Sequence, residues 1–155
     1  MIKERKGISM FKRVLALVFV VAILFAFASC QKKGGIYPDL PWDAITFEFE
    51  EYTESFATYS TIKWGERVYI PYGNLEDALK EGDLTDCLGY TSANGEVNKS
   101  SRVFTISGDK DHNYLLICNV ENSAYIPVIY RAMDTRHQEV ARPEIVNDPF
   151  YSYWK

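Results

Sequence analysis

Ile45-Thr46-Phe47-Glu48-Phe49-Glu50 sets the period of this chain. Apolar Ile45, Phe47 and Phe49 alternate with polar Thr46, Glu48 and Glu50, and successive side chains of a strand point to opposite faces. The stretch is expected to form a strand with one face on a core and the other in water. The same preference recurs downstream. Residues 56–64 are β-prone and lead through Gly65-Glu66 into residues 67–72. Two residues beginning with glycine between β-rich runs predict a hairpin with a II′-type turn. Pro71 has no N–H to donate, so this strand is expected to end there or to lie at an edge.

Residues 102–107 and 113–120 read as two further strands around the polar tip at 108–112, and residues 125–131 as a last strand interrupted by Pro127. Residues 92–101 (SANGEVNKSS) read as a polar loop with a turn signal at Asn94-Gly95. Residues 74–82 (NLEDALKEG) predict the one helix: Asn74 is a capping residue, Glu76 and Asp77 suit the positive end, and Gly82 suits a left-handed stop. At barely two turns, only its Leu75, Ala78 and Leu79 can dock. Beyond Met133 no pattern emerges, although residues 149–154 are aromatic enough to pack. The expected fold is a β-dominated α+β class: a small antiparallel sheet, curled on itself or covered on one face, with one short helix.

Composition narrows the function. The 155 residues, 47% apolar and 25% charged, are globular values and suffice for one domain. The net charge of −4 is unevenly placed: residues 1–29 carry +4 and the remainder −8. An acidic body is repelled by phosphate backbones and no basic stripe relieves it, so nucleic acid is not an expected partner.

Residues 1–13 are basic, residues 14–28 (VLALVFVVAILFAFA) are an unbroken apolar run, and Phe27-Ala28-Ser29-Cys30 brings small side chains to a cysteine. The run is shorter than the roughly 20 residues a spanning helix needs. The segment resembles the signal peptide and lipobox of bacterial lipoproteins, with Phe27 where leucine is usual. That resemblance implies cleavage before Cys30, a diacylglycerol on its thiol, and an extracytoplasmic body anchored to a membrane. It covers only residues 1–30. An uncleaved signal anchor is the alternative, and it places the body on the same side. The implied organisation is a signal peptide over 1–29, a lipidated cysteine and short tether over 30–44, and a single globular domain over 45–155.

Candidate chemistry is sparse. Cys87 and Cys118 are candidates for a disulfide closing a loop of about 30 residues, which stabilises by roughly 3–4 kcal/mol in the chain-entropy model. The other reading is two small buried apolar side chains. Asp109, Asp111 and Asn113 fall at the one-three-five spacing of a calcium loop, but Tyr114 stands where that loop needs glycine and Val120 where it needs glutamate. The plainer reading is a polar hairpin tip. The two histidines, His112 and His137, lie 25 positions apart, with no cysteine pair to complete a zinc site. Glu48, Glu50, Glu51 and Glu54 read as solvated strand charge, and neither a framed nucleophile nor a glycine-rich phosphate loop is present. No cofactor is expected.

Nineteen aromatic side chains remain after residue 29. Tyr69, Tyr72, Tyr151, Tyr153 and Trp154 are candidates for a platform that takes a sugar ring or a peptide, against the alternative that they fill a β core. The expectation is a non-catalytic, membrane-anchored interaction module whose partner is an envelope protein or glycan. A small extracytoplasmic hydrolase or metal-dependent enzyme using Asp109, Asp111 and His112 is the alternative, and a structural or inhibitory envelope protein a third.

Overall fold

In the computed structural model, residues 35–54 and 57–154 are described. The apolar run, the lipobox and Cys30 lie outside the described residues. Eight strands follow in order: β1 (Ile45–Glu48), β2 (Glu50–Glu54), β3 (Ala57–Trp64), β4 (Arg67–Asn74), β5 (Leu84–Ala93), β6 (Glu96–Ile106), β7 (Tyr114–Asn119) and β8 (Val128–Ala132). They form one sheet in the order β1-β5-β6-β7-β8-β4-β3-β2. All neighbours are antiparallel except β1 and β5, so the sheet is mixed where an antiparallel one was expected.

The two edge strands of that order are consecutive in the chain, with only Phe49 between them. The N–H of Phe49 still donates to the Ser92 carbonyl at 2.8 Å, after which the chain crosses to pair with β3. The sheet therefore curls back on itself as a half-barrel. Its inner face buries Phe47 of β1 with Ile62 of β3, Tyr69 of β4, Val103 of β6, Leu115 and Ile117 of β7, and Tyr130 and Ala132 of β8. Side chains from opposite ends of the strand order share one cluster, which only a curled sheet allows.

The outer face is buried too. Ile70, Tyr72, Cys87, Phe104, Ile106, Tyr114, Leu116, Cys118 and Ile129 form a second cluster, covered by Leu75, Val146 and Trp154 from the connecting and C-terminal segments. Tyr37 and Leu40 also pack there, Tyr37 with its ring 5.7 Å from that of Phe104, so the folded body reaches back ahead of Ile45 into the expected tether. Strand β7 shows the consequence: Tyr114, Leu116 and Cys118 face outward and Leu115 and Ile117 inward, so a continuous apolar run is buried on both sides.

Both two-residue turns follow their local chemistry. Gly65 alone has positive φ in the β3–β4 hairpin, as a II′ turn requires, whereas Asn94 and Gly95 both do in the β5–β6 hairpin, as in type I′. The stretch expected as a loop at 92–101 is therefore mostly strand. Its irregularity is a bulge at residues 99–101, where the Asn98 side-chain oxygen accepts the N–H groups of Ser100 and Ser101 at 3.1 and 3.2 Å.

The predicted helix at 74–82 does not form. Asn74 ends β4, and the N–H of Leu75 donates to the Pro127 carbonyl at 3.0 Å, extending the pairing with β8. A nine-residue helix has too few internal bonds to repay nucleation, and Leu75 and Leu79 reach the outer cluster without one. The only helical elements among the described residues are 3-10 turns at Met133–Thr135 and Ser152–Trp154.

Closure rests on Gly89, which stands beside Ile45 in the parallel pair. A Cβ there would lie 1.8 Å from the Ile45 carbonyl oxygen. Gly89→Ala is thus expected to cost about 2–3 kcal/mol, as overpacking against backbone does. Urea unfolding should show the loss, and amide exchange should accelerate first at Ile45–Glu48; unchanged exchange there would contradict this role.

Candidate functional site

Strand β3 pairs with β4 only as far as Ile62 opposite Tyr69, then leaves to pair with β2. The rest of β4 is open on that side, and Pro71, which lacks an N–H, sits at this local edge. The bared carbonyls are taken by the C-terminal segment. Phe150 N–H donates to Tyr72 O at 3.1 Å, while Tyr153 Oη and Trp154 Nε1 both donate to Pro71 O, at 2.5 and 2.8 Å. Arg136 fixes the same segment, donating from Nε to Tyr153 O at 2.9 Å and pairing with Glu54 of β2.

This docking sets an aromatic row across the join. Tyr52 and Tyr59 are direct cross-strand partners with rings 6.1 Å apart; Tyr59 meets Tyr153 at 4.3 Å, Tyr153 stacks on Tyr151 at 5.4 Å, and Tyr151 meets Phe150 at 5.2 Å. The tyrosines are half-buried and Phe150 is 69% exposed. The expected platform is thus corrected in membership. Tyr69 lies in the inner cluster, and Tyr72 and Trp154 lie in the outer one, all buried. Tyr151 and Tyr153 remain at the surface, joined by Tyr52, Tyr59 and Phe150. The cross-strand pair Tyr52–Tyr59 was in the sequence, but its partnership depends on register.

The other candidates go to structural tasks. Cys87 and Cys118 are both free and buried, so the candidate bridge is not formed and the two thiols are small buried side chains. They share the outer face with β6 between their strands. Two strand spacings, about 9.5 Å, exceed the reach of a disulfide. Burial pushes the Cys118 thiol up to about 11 and raises that of Cys87, disfavouring the reactive thiolates.

At the β6–β7 tip, the Asp109 carboxylate is buried and accepts the Tyr114 N–H at 2.6 Å. Desolvation raises its pKa, against the pull of that bond. Asn113 gives its oxygen to Arg67 at 3.0 Å, and Arg67 also donates to the carbonyls of Asp111 and His112 and to both carboxylate oxygens of Asp134. The side-chain oxygens of Asp109 and Asn113 are thus committed to different partners. Among the described residues no group of three His, Cys, Asp or Glu side chains could hold a metal together. The exposed His112 packs its ring against Trp64, 5.0 Å between centroids, and has positive φ.

One feature escaped the sequence entirely. Arg131 of β8 is 8% exposed and its guanidinium lies among the rings of Tyr72, Tyr114 and Trp154, 5.6, 5.6 and 4.9 Å from their centroids. It donates from Nε to Thr135 Oγ1 at 2.9 Å and from Nη2 to the carbonyls of Thr135 and Gln138 at 2.7 and 3.0 Å. Among the described residues no carboxylate pairs with it. Two shallow clefts, about 400 and 250 Å³, flank residues 143–145; the larger is lined in part by Asp83, Ser107, Arg142 and Glu144.

Burial raises the phenols of Tyr114, to about 12, and of Tyr130 and Tyr153 further still. Above the ordinary phenol value of about 10, the unfolded chain loses protons that the folded chain keeps, so this stability is whole below about pH 10 and falls as pH rises toward 12. Melting temperature across that range should drop, and less steeply for Tyr114→Phe, which has no such proton. A slope unchanged by that substitution would contradict the assignment. Comparison of the chain with family models, with curated proteins and with solved structures returned no match.

Proposed function

We propose that this chain is a bacterial lipoprotein, cleaved before Cys30 and anchored through diacylglycerol on that cysteine, whose extracytoplasmic body acts by binding an envelope protein or glycan rather than by catalysis. The address rests on residues 1–30, where a basic segment, a 15-residue apolar run and Ala28-Ser29-Cys30 follow in order. Two acyl chains anchor stably where one is marginal.

The binding reading is carried by a single observation: the partly exposed row Tyr52, Tyr59, Tyr153, Tyr151 and Phe150. Aromatic side chains offer a large, rigid contact area at little entropic cost and suit sugar rings and peptides alike. The row is held on rigid elements, β2, β3 and a segment pinned by three hydrogen bonds to β4. The Phe150 ring at the end of the row is left 69% in water.

The test is a crosslinking pull-down of the full chain from its own cells, with intact mass on the bait. The expected mass is that of a chain beginning at a diacylated Cys30. A Tyr52→Ala/Phe150→Ala variant should recover its protein or glycan at least about tenfold less, the effect of losing a contact hot spot. Bait still carrying residues 1–29 would overturn the address. Equal recovery by the variant would overturn the aromatic row.

A further inference from the structure

Tryptophan has a large apolar surface to withdraw from water, and folding ordinarily uses it. Trp42 withdraws almost none: it is 97% exposed. Its position is nonetheless fixed. Leu40, two residues before it, packs on the outer cluster, and Ile45, three residues after it, stands opposite Gly89 in the parallel pair. Between them the Ala44 N–H donates to the Pro41 carbonyl at 3.3 Å, which puts Trp42 and Asp43 at the two central positions of a β-turn. The indole is thus held out in water by a turn that is tied down on both sides.

Its neighbours in the chain share the feature. Among the described residues seven large apolar side chains are exposed, and three of them, Ile36, Trp42 and Ile45, fall within residues 36–45. This segment joins the body to the stretch that carries Cys30. Tyr37 is already docked, its ring 5.7 Å from that of Phe104, so seven residue steps separate Cys30 from the body. At full extension they span about 25 Å. A tether so short gives the segment a high effective concentration of lipid surface, and a contact too weak to form from free solution is then populated.

We propose that Trp42, with Ile36 at the start of the body, seats in the headgroup region of the membrane that holds the lipid on Cys30, as a second contact that orients the body on that surface. The inference rests on the lipoprotein address proposed above. Tryptophan suits the task because an apolar ring system with one N–H favours the interface over both water and hydrocarbon. The chemistry beside it limits the depth. Asp39 and Asp43 flank Trp42 and are exposed, and carrying a carboxylate into hydrocarbon is costly. The indole therefore sits shallow, at the headgroup end of the acyl chains. The aromatic row on β2, β3 and the C-terminal segment shares no residue with this contact.

The experiment is tryptophan fluorescence of the protein purified from its own cells and placed in phosphatidylethanolamine–phosphatidylglycerol vesicles, with intact mass measured on the same sample. The vesicles carry lipids brominated either near the headgroup end of the acyl chains or near their tails, and bromine quenches an indole only at contact. Trp64 and Trp154 also emit, so the wild type is compared with Trp42→Phe, a change at a position too exposed to unsettle the fold. Shallow bromine should remove about a third of the wild-type emission, the share of one indole in three, and deep bromine clearly less. The variant should lose almost none with either lipid. A diacylated protein whose wild-type and variant emission respond alike would sink this inference and leave the address standing, as would stronger quenching by deep bromine. A mass without diacylglycerol would remove the address and this contact together.

Discussion

The crossing at Phe49 is the constraint on which the rest of the sheet depends. A sheet exposes two rows of unpaired backbone groups, one at each edge, and both are liabilities. Here a single run of ten residues supplies both edge strands: β1 lies parallel on β5, and β2, one residue later, lies antiparallel on β3. The curl follows because the chain cannot reach both partners unless they stand close together. Gly89 makes the first half possible by leaving room for the Ile45 carbonyl. Phe47 then drops between the ends of the sheet onto Ile62 and Tyr69, and the inner cluster becomes continuous.

Closing the inner face creates the demand on the outer one. Because β3 must turn away to meet β2, it abandons β4 after Tyr69, and the carbonyls of Pro71 and Tyr72 lose their sheet partners. Proline at that position removes one donor from the problem, and the C-terminal segment supplies three others. Its indole covers the ring pair Tyr72–Tyr114, and the guanidinium of Arg131 is shut in beneath. The surface aromatic row and the buried cation are therefore two sides of one docking event. Loosening residues 149–154 would disturb both together.

What was legible in the sequence was local. Gly65-Glu66 and Asn94-Gly95 specify their turns through positive φ, whatever surrounds them, and the strands flanking residues 108–112 follow from unbroken β-prone runs. Strand β5 was not legible, because bulges near Cys87, Gly89 and Tyr90 break its alternation and Gly89 reads as a breaker. The helix signal at 74–82 was chemically sound and lost to tertiary context, since Leu75 bonds to Pro127 before a turn can start. Among the aromatics, composition does not say which face a ring occupies. Tyr69 and Tyr72 are three apart on one strand, a spacing that sends them to opposite faces and so excludes a shared platform. Cys87 and Cys118 failed as a bridge for a nonlocal reason: strand order interposes β6.

The tip at residues 109–113 shows why a spacing match can be chemically apt and still point to the wrong ion. Oxygen donors at alternate positions of a short loop gather around positive charge because their dipoles and lone pairs would otherwise repel. Of the one-three-five side chains only Asn113 meets a cation here, and that cation is the Arg67 guanidinium from the neighbouring hairpin. It takes the carbonyls of Asp111 and His112, the Asn113 side chain and both oxygens of Asp134. A planar cation with directional N–H groups accepts such a spread of acceptors, whereas calcium needs six or more converging on a point about 2.4 Å away. Tyr114, where a calcium loop needs glycine, fits the same account, since its N–H returns to Asp109 and its ring is committed to the outer core. The tip is tied to β4 by an internal cation that takes two of its carbonyls and the Asn113 side-chain oxygen.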